Sequence, residues 1–273
     1  MLLPALLLIL ASSLTPGNNE VVTSFSSCLS FFLDNTVPDD ALEPSDPARI
    51  CQKYENNYYF ATMYDKTNRI PAYSAYVYRP SPGRALREWM VEPQLVNSDF
   101  DSNMISEKDC SIPKDELSQN QAIDSDYGGA PYYVDRGHLN PMVHQFDEAS
   151  KTATCTLTNI VPQYNKLNQE PWVAYETKTM EQKQAQYKCT KIYALVGAVP
   201  GITYIAGGRV NYPSHLWAAA CCVTGANRWS WGILASNNYT LPPAVTEYSL
   251  RDLELQLAPL YEKTIDLFHS SCY

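Results

Sequence analysis

Eight cysteines constrain this chain more than any other feature. Cys28, Cys51, Cys110, Cys155, Cys189, Cys221, Cys222 and Cys272 all lie downstream of a leader, residues 1–17, that carries no ionisable side chain. In the leader an apolar run from Leu2 to Leu10, broken only by Pro4, gives way to Ala11-Ser12-Ser13 and then Pro16-Gly17. That pattern reads as a secretory signal, and the run is shorter than the roughly 20 apolar residues a membrane span needs. Residues 18–273 are therefore expected to form a secreted, extracellular protein with no stable membrane association and with its even cysteine set in disulfides. Neighbouring side chains on a strand face opposite ways, so Cys221 and Cys222 are expected to bond two different partners. There is no paired C-x-x-C to suggest zinc instead. Asn238-Tyr239-Thr240 is the one N-glycosylation sequon, and it fits a surface loop.

A chain of 273 residues allows one large domain or two small ones. With 45% apolar and 18% charged residues it suits a globular protein with a sizeable core, not a disordered tail or a coiled coil. Twenty Lys and Arg against 29 Asp and Glu give a net charge of −9. That balance argues against a broad basic face for nucleic acid, though not against a site whose positive charge is local or supplied by a metal.

Residues Tyr58 to Tyr64 and Ile70 to Tyr78, separated by Asp65-Lys66-Thr67-Asn68, read as a β-hairpin. Between 97 and 126 eight acids oppose only Lys108 and Lys114, and little apolar periodicity survives, so mostly exposed loop with a short helix is expected. Glu170 to Lys188 reads as a helix with Pro171 tolerable only in its first turn. Strands are expected at Ile192 to Val199, Leu216 to Val223 and Trp229 to Ala235, and Ser249 caps a closing helix through Leu257. No repeat or low-complexity linker divides the chain, so one α+β domain over 18–273 is the simplest organisation.

Common hydrolase motifs, G-x-S-x-G and H-E-x-x-H, are absent. What remains is Asp135-Arg136-Gly137-His138-Leu139-Asn140-Pro141. An imidazole can take a proton from water near neutral pH, and a guanidinium can hold phosphate oxygens with its planar fork. Read alone, this segment is better explained as a turn with a surface salt bridge. Further on, Thr158-Asn159-Ile160-Val161-Pro162-Gln163 leads to Leu167-Asn168-Gln169, Trp172 and Glu176. Eight residues separate Asn168 from Glu176, which at about 100° per residue leaves a mismatch of about 80° on a helix. A neutral carbonyl oxygen and a carboxylate suit Mg²⁺, which keeps most of its waters. A helix cap at Asn168 and a solvated Glu176 account for the same pair equally well.

D-R-G-H-L-N-P followed by T-N-I-V-P-Q and then L-N-Q, W and E closely resembles the DNA/RNA non-specific endonuclease family. Softer similarity extends upstream to Tyr59-Phe60-Ala61-Thr62-Met63-Tyr64 and Arg69-Ile70-Pro71-Ala72-Tyr73-Ser74-Ala75-Tyr76, and downstream to Pro213-Ser214-His215-Leu216-Trp217. The resemblance implies a ββα-metal nuclease fold, an antiparallel β-sheet core flanked by helices. It implies hydrolysis of phosphodiester bonds in the DNA and/or RNA backbone without sequence preference. It also implies one Mg²⁺, with Mn²⁺ as a possible substitute. Carried over position by position, His138 is the general base, Asn168 the metal ligand, and Glu176 the holder of water on the metal. Arg136 contacts phosphate, Asn159 contacts substrate or fixes the site, and Asp135 supports the loop.

Residues 131 to 190 balance six basic and six acidic residues, while 51 to 95 carry six basic residues against four acids. If the hairpin packs beside the helix, a modest basic groove is expected. His144 reads as a loop residue, and His215 and His269 as structural. The 20 tyrosines read as core and edge-strand residues more readily than as a base-stacking platform, and Trp229 and Trp231 as core. The alternative to a nuclease is a catalytically weak extracellular binding protein that keeps the fold, which the low net charge and the acid-rich 97–126 favour. A third reading, a hydrolase of another phosphoester, calls for a closed pocket in place of a groove.

Overall fold

Apolar residues at both parities of the central strands require a sheet covered on its two faces. The computed structural model describes residues 19–85, 88–268 and 272. The expected signal over 1–17 and His269 lie outside the described residues. Strands β1 to β4 span Val21–Val22, Pro47–Tyr54, Asn57–Asp65 and Ile70–Val77. Strands β5 to β9 span Met90–Val91, Ile105–Ser106, Val134–His138, Ile160–Tyr164 and Lys191–Val199. Strands β10 to β14 span Thr203–Ile205, Val210–Tyr212, His215–Thr224, Asn227–Ser236 and Thr246–Tyr248. Eight of them form one antiparallel sheet in the order β1-β2-β3-β4-β9-β12-β13-β14, and β5–β6, β7–β8 and β10–β11 are separate two-stranded ribbons. The architecture is α+β, as expected, and the hairpin and the three later strands form where the sequence places them.

Alternation along β12 divides the interior. Leu216, Ala218, Ala220 and Cys222 join the core beneath the β7–β8 ribbon, while Trp217, Ala219 and Cys221 join the core on the opposite face. The same alternation sends the vicinal cysteines to different partners. Cys222 bonds Cys189, just past the long helix on the ribbon side, and Cys221 bonds Cys272 on the other. Cys28 and Cys51 form a third bridge. Cys110 and Cys155 take no part in these three bridges. The closing helix is Leu250–Tyr261, with the Ser249 hydroxyl accepting the Asp252 amide at 3.1 Å. It runs a turn beyond Leu257 because Tyr261 is held inside, its hydroxyl accepting from Trp217 Nε1 at 2.9 Å.

Two elements depart from the sequence reading. The acid-rich segment holds two short helices, Lys114–Asn120 and Asp124–Gly128, and buries Leu117, Ala122, Ile123 and Tyr127 in the ribbon-side core. Tertiary bonds order it: Gln121 Oε1 accepts the Glu92 amide at 2.9 Å, and Gln121 Nε2 donates to the Glu92 carbonyl at 2.8 Å. The long helix covers 165–187, so it starts well before Glu170, and Pro171 lies inside it. Wide turns at Asn168–Trp172 and Tyr175–Thr179 make this tolerable, since the Val173 amide reaches back to the Asn168 carbonyl and the missing proline N–H leaves no gap in the ladder.

Candidate active site

Strand β7, strand β8 and the helix at 165–187 form a β-β-α unit. In the ribbon Asp135 pairs with Gln163, Gly137 with Val161 and His138 with Ile160. Glycine at 137 is required by packing: a Cβ there would stand 2.1 Å from Gln163 Oε1 and 2.8 Å from Gln163 Cβ. Beyond β8 the chain turns directly into the helix, whose buried face, Leu167, Trp172, Tyr175 and Met180, packs on the sheet. This brings Asp135, Arg136 and His138 from the strand and Asn168 from the helix to one cleft of about 460 Å³, walled also by Trp89 and Tyr127.

His138 lies with its ring 5.9 Å from that of Trp89, and burial lowers its imidazole to about 4, so it is neutral at pH 7. Its Nε2 is buried without a hydrogen-bond partner among the described residues. Arg136 is clamped: its guanidinium lies 5.0 Å from the Trp89 ring centroid and 5.3 Å from that of Tyr127, and Nη2 meets the Asp124 carboxylate at 2.6 Å. Its Nε is buried and has no hydrogen-bond partner among the described residues. The acid-rich segment, expected from sequence to be mostly loop, thus supplies the residue that sets the arginine.

Asn168 Nδ2 donates to Asp135 Oδ2 at 3.1 Å, and Gln169 Nε2 donates to the same oxygen at 2.8 Å. This bond assigns the amide orientation and leaves Asn168 Oδ1 as an oxygen ligand in the cleft. Asp135 does more than support a loop, because it fixes that amide. Among the described residues no three of His, Cys, Asp and Glu converge, so a cation here would be held by the Asn168 oxygen and by water beside the Asp135 charge. A hard, strongly hydrated ion such as Mg²⁺ fits that donor set.

Glu176 lies further along the helix. The wide turn after Asn168 removes about one α-helical step from the rotation between the two, so the mismatch falls from about 80° to about 20°. Desolvation pushes the half-buried Glu176 carboxyl up to about 8, and a hydrogen bond from the Trp172 side chain pulls the other way. His144 is no loop residue. It is buried, with its Nε2–H donating to the Glu176 carbonyl at 2.7 Å and Nδ1 accepting from the Tyr76 hydroxyl at 2.8 Å. Burial lowers it too to about 4, and it pins the Glu176 turn to β4. Nothing in the sequence pattern marks it.

Asn159 is fully buried, its Oδ1 accepts the Asn140 amide and the Ser74 hydroxyl, and its Nδ2 donates to the carbonyls of Asn140 and Thr154. With its amide satisfied internally, it holds the loop after His138. Three of the six basic residues counted for the expected groove are engaged elsewhere, while Arg79 and Arg84 stay exposed. Lys53 is buried on Ser102, Lys66 pairs with Asp46, and Arg69 is spent on backbone carbonyls of Ser118 and Gln119. Seven tyrosines are buried in the core, and nine more pack partly buried against it. Tyr132, Tyr133 and Tyr239 form a surface cluster at the start of β7, with Tyr133 stacked on Tyr239 at 4.0 Å.

Comparison with known proteins follows the same residues. The profile of the DNA/RNA non-specific endonuclease family matches residues 37–264. The chain belongs to this family. It is 32% identical over 260 residues to the human endonuclease domain-containing 1 protein, covering 93% of this chain and 49% of that protein. With the mouse protein of the same name the identity is 31% over 255 residues, covering 91% and 48%. The chain thus spans about half the length of these relatives. A chain in the crystal structure of the EndoG/EndoGI complex aligns with a TM-score of 0.49 at 16% identity, over 78% of this chain and 84% of that one.

Proposed function

We propose that this chain is a secreted, metal-dependent, sequence-nonspecific endonuclease that hydrolyses phosphodiester bonds in DNA and/or RNA. The observation that carries the reading is a neutral imidazole with a buried, unpartnered Nε2, in one cleft with the Asn168 oxygen and the Arg136 guanidinium. Mg²⁺, with Mn²⁺ as a substitute, would supply positive charge against the phosphate and the leaving oxygen. His138 takes the proton of the attacking water at Nε2, and a phosphate anion entering the cleft raises the low imidazole pKa toward the working range. Arg136, its plane fixed between Trp89 and Tyr127, offers its remaining N–H groups to phosphate oxygens. Asn168 would hold the cation beside the Asp135 charge, and Glu176, placed by His144 and Trp172, would hold water near it. A long substrate is favoured over a small phosphoester because a second, larger depression shares its Met142 wall with the cleft.

The test is incubation of the disulfide-intact protein with plasmid DNA and with RNA plus Mg²⁺, beside EDTA and His138→Ala controls. Degradation that both controls abolish is expected. Absence of cleavage across several metals and salt concentrations would overturn the reading in favour of a binding protein on a nuclease scaffold.

A further inference from the structure

Lys151, on the short helix Glu148–Ala153, is a deeply set cation near the cleft, and the proposed chemistry leaves it unused. The residue is 3% exposed. Its Nζ donates to Ser81 Oγ at 3.0 Å and to the Gln145 carbonyl at 2.7 Å. No carboxylate lies within ion-pair distance of it among the described residues. The acids of its own helix start are turned elsewhere, with Asp147 capping the Ser150 amide at 2.7 Å and Glu148 exposed. A buried ammonium held by two neutral oxygens retains one N–H and its whole charge, an arrangement that burial disfavours unless an anion completes it.

Lys151 lines the second depression, about 870 Å³, together with Ser81, Gly83 and Arg84, and Met142 forms a wall common to this depression and the His138 cleft. Gly83 lies beside the ammonium: its φ is +137°, a conformation that favours glycine, and the position of its missing Cβ is 3.9 Å from Lys151 Nζ. Arg84 is exposed on the rim and adds a second cation. In a protein of net charge −9, two cations in a cavity adjoining the cleft make a local anion site.

We infer that Lys151 and Arg84 form a second phosphate subsite, which holds a phosphodiester of the same strand whose neighbour occupies the His138 cleft. The inference rests on the nuclease reading for its substrate but has its own measurement. Binding of labelled single-stranded oligonucleotides of increasing length is followed at several salt concentrations in a His138→Ala background, with and without Lys151→Met. Affinity is expected to step up once the strand reaches the second depression. Lys151→Met abolishes the step and reduces the salt slope by about 0.7, the value of one phosphate contact on single strands. Arg84→Gln, a rim change that leaves the core untouched, lowers the same slope and serves if Lys151→Met does not fold. Inorganic phosphate alone, followed by thermal shift, separates the sources. Equal stabilisation of the parent and Lys151→Met proteins, combined with no length step, would overturn the subsite. A length step in the His138→Ala background, alongside a parent protein that cleaves nothing, would keep the subsite while the nuclease reading fell.

Discussion

Asp135→Asn tests the link between strand and helix that the proposed metal site depends on. Asp135 Oδ2 accepts from both Asn168 and Gln169, at 3.1 and 2.8 Å. A hydrogen bond to a charged group contributes about 1.5–3 kcal/mol and a neutral one about 0.5–1.5 kcal/mol, so neutralising the acceptor weakens the hold on the Asn168 amide by about 1–1.5 kcal/mol. Solvent reaches this half-buried pair, which puts the effect at the lower end, about 1 kcal/mol or roughly fivefold in metal affinity. Asp135→Ala removes the anchor altogether and is expected to cost about 10–100-fold, the usual range for partners that orient a ligand. The assay is the Mg²⁺ concentration that half-saturates plasmid cleavage, with calorimetric titration of the ion as a direct check. Raising Mg²⁺ should restore most of the rate in Asp135→Asn. An unchanged half-saturation with a reduced maximal rate would refute the reasoning, because Asp135 would then act on something other than the Asn168 amide.

Gly137→Ala forces a methyl to 2.8 Å from Gln163 Cβ, and overpacking of that kind costs about 1–3 kcal/mol. A drop in melting temperature of roughly 2–10 °C is expected, with cleavage falling further because His138 is the next residue; a stable variant of full activity would contradict it. Glu20 and Glu92 are both fully buried, and their carboxyls are raised above the ordinary range, chiefly by desolvation and, for Glu20, also by the neighbouring Glu92 charge. The native state therefore binds more protons than the unfolded chain. This stabilisation is complete below the unfolded value of about 4.3 and is lost as pH rises through the native values. For each carboxyl the loss runs at about 1.4 kcal/mol per pH unit between those two limits. Glu92→Gln keeps an oxygen for the Thr156 and Thr158 hydroxyls that Glu92 Oε1 accepts, at 2.6 and 2.8 Å. It should flatten the fall in denaturant stability as pH rises above the unfolded value of about 4.3. Identical slopes in parent and variant would remove the pair as its source.

The strands are legible because their apolar residues alternate onto two covered faces, and the same period-two rule separates Cys221 from Cys222. Legible too is the order of His138, Asn168 and Glu176, which the ribbon and helix preserve. Pro171 hides the true start of the helix because a wide turn, invisible in propensity, removes the need for its N–H. The acidic segment hides its order because its buried apolar residues, Met104, Leu117, Ala122 and Ile123, follow no period and the segment is held by long-range bonds of Gln121 and Arg136.

By itself the sequence determined the α+β architecture, the family, and the chemical types that the cleft would contain, since these depend on local period and on the identity of side chains. Tertiary structure alone decided what each of those groups does. It turned Asp135 from loop support into the anchor of the Asn168 amide, and it buried Asn159 as scaffold. It made His144 a strut and left Lys151 as a buried charge beside an open depression. Those roles follow from desolvation and from which atoms remain unpaired, and both are set by residues far apart in the chain that meet only when the sheet closes.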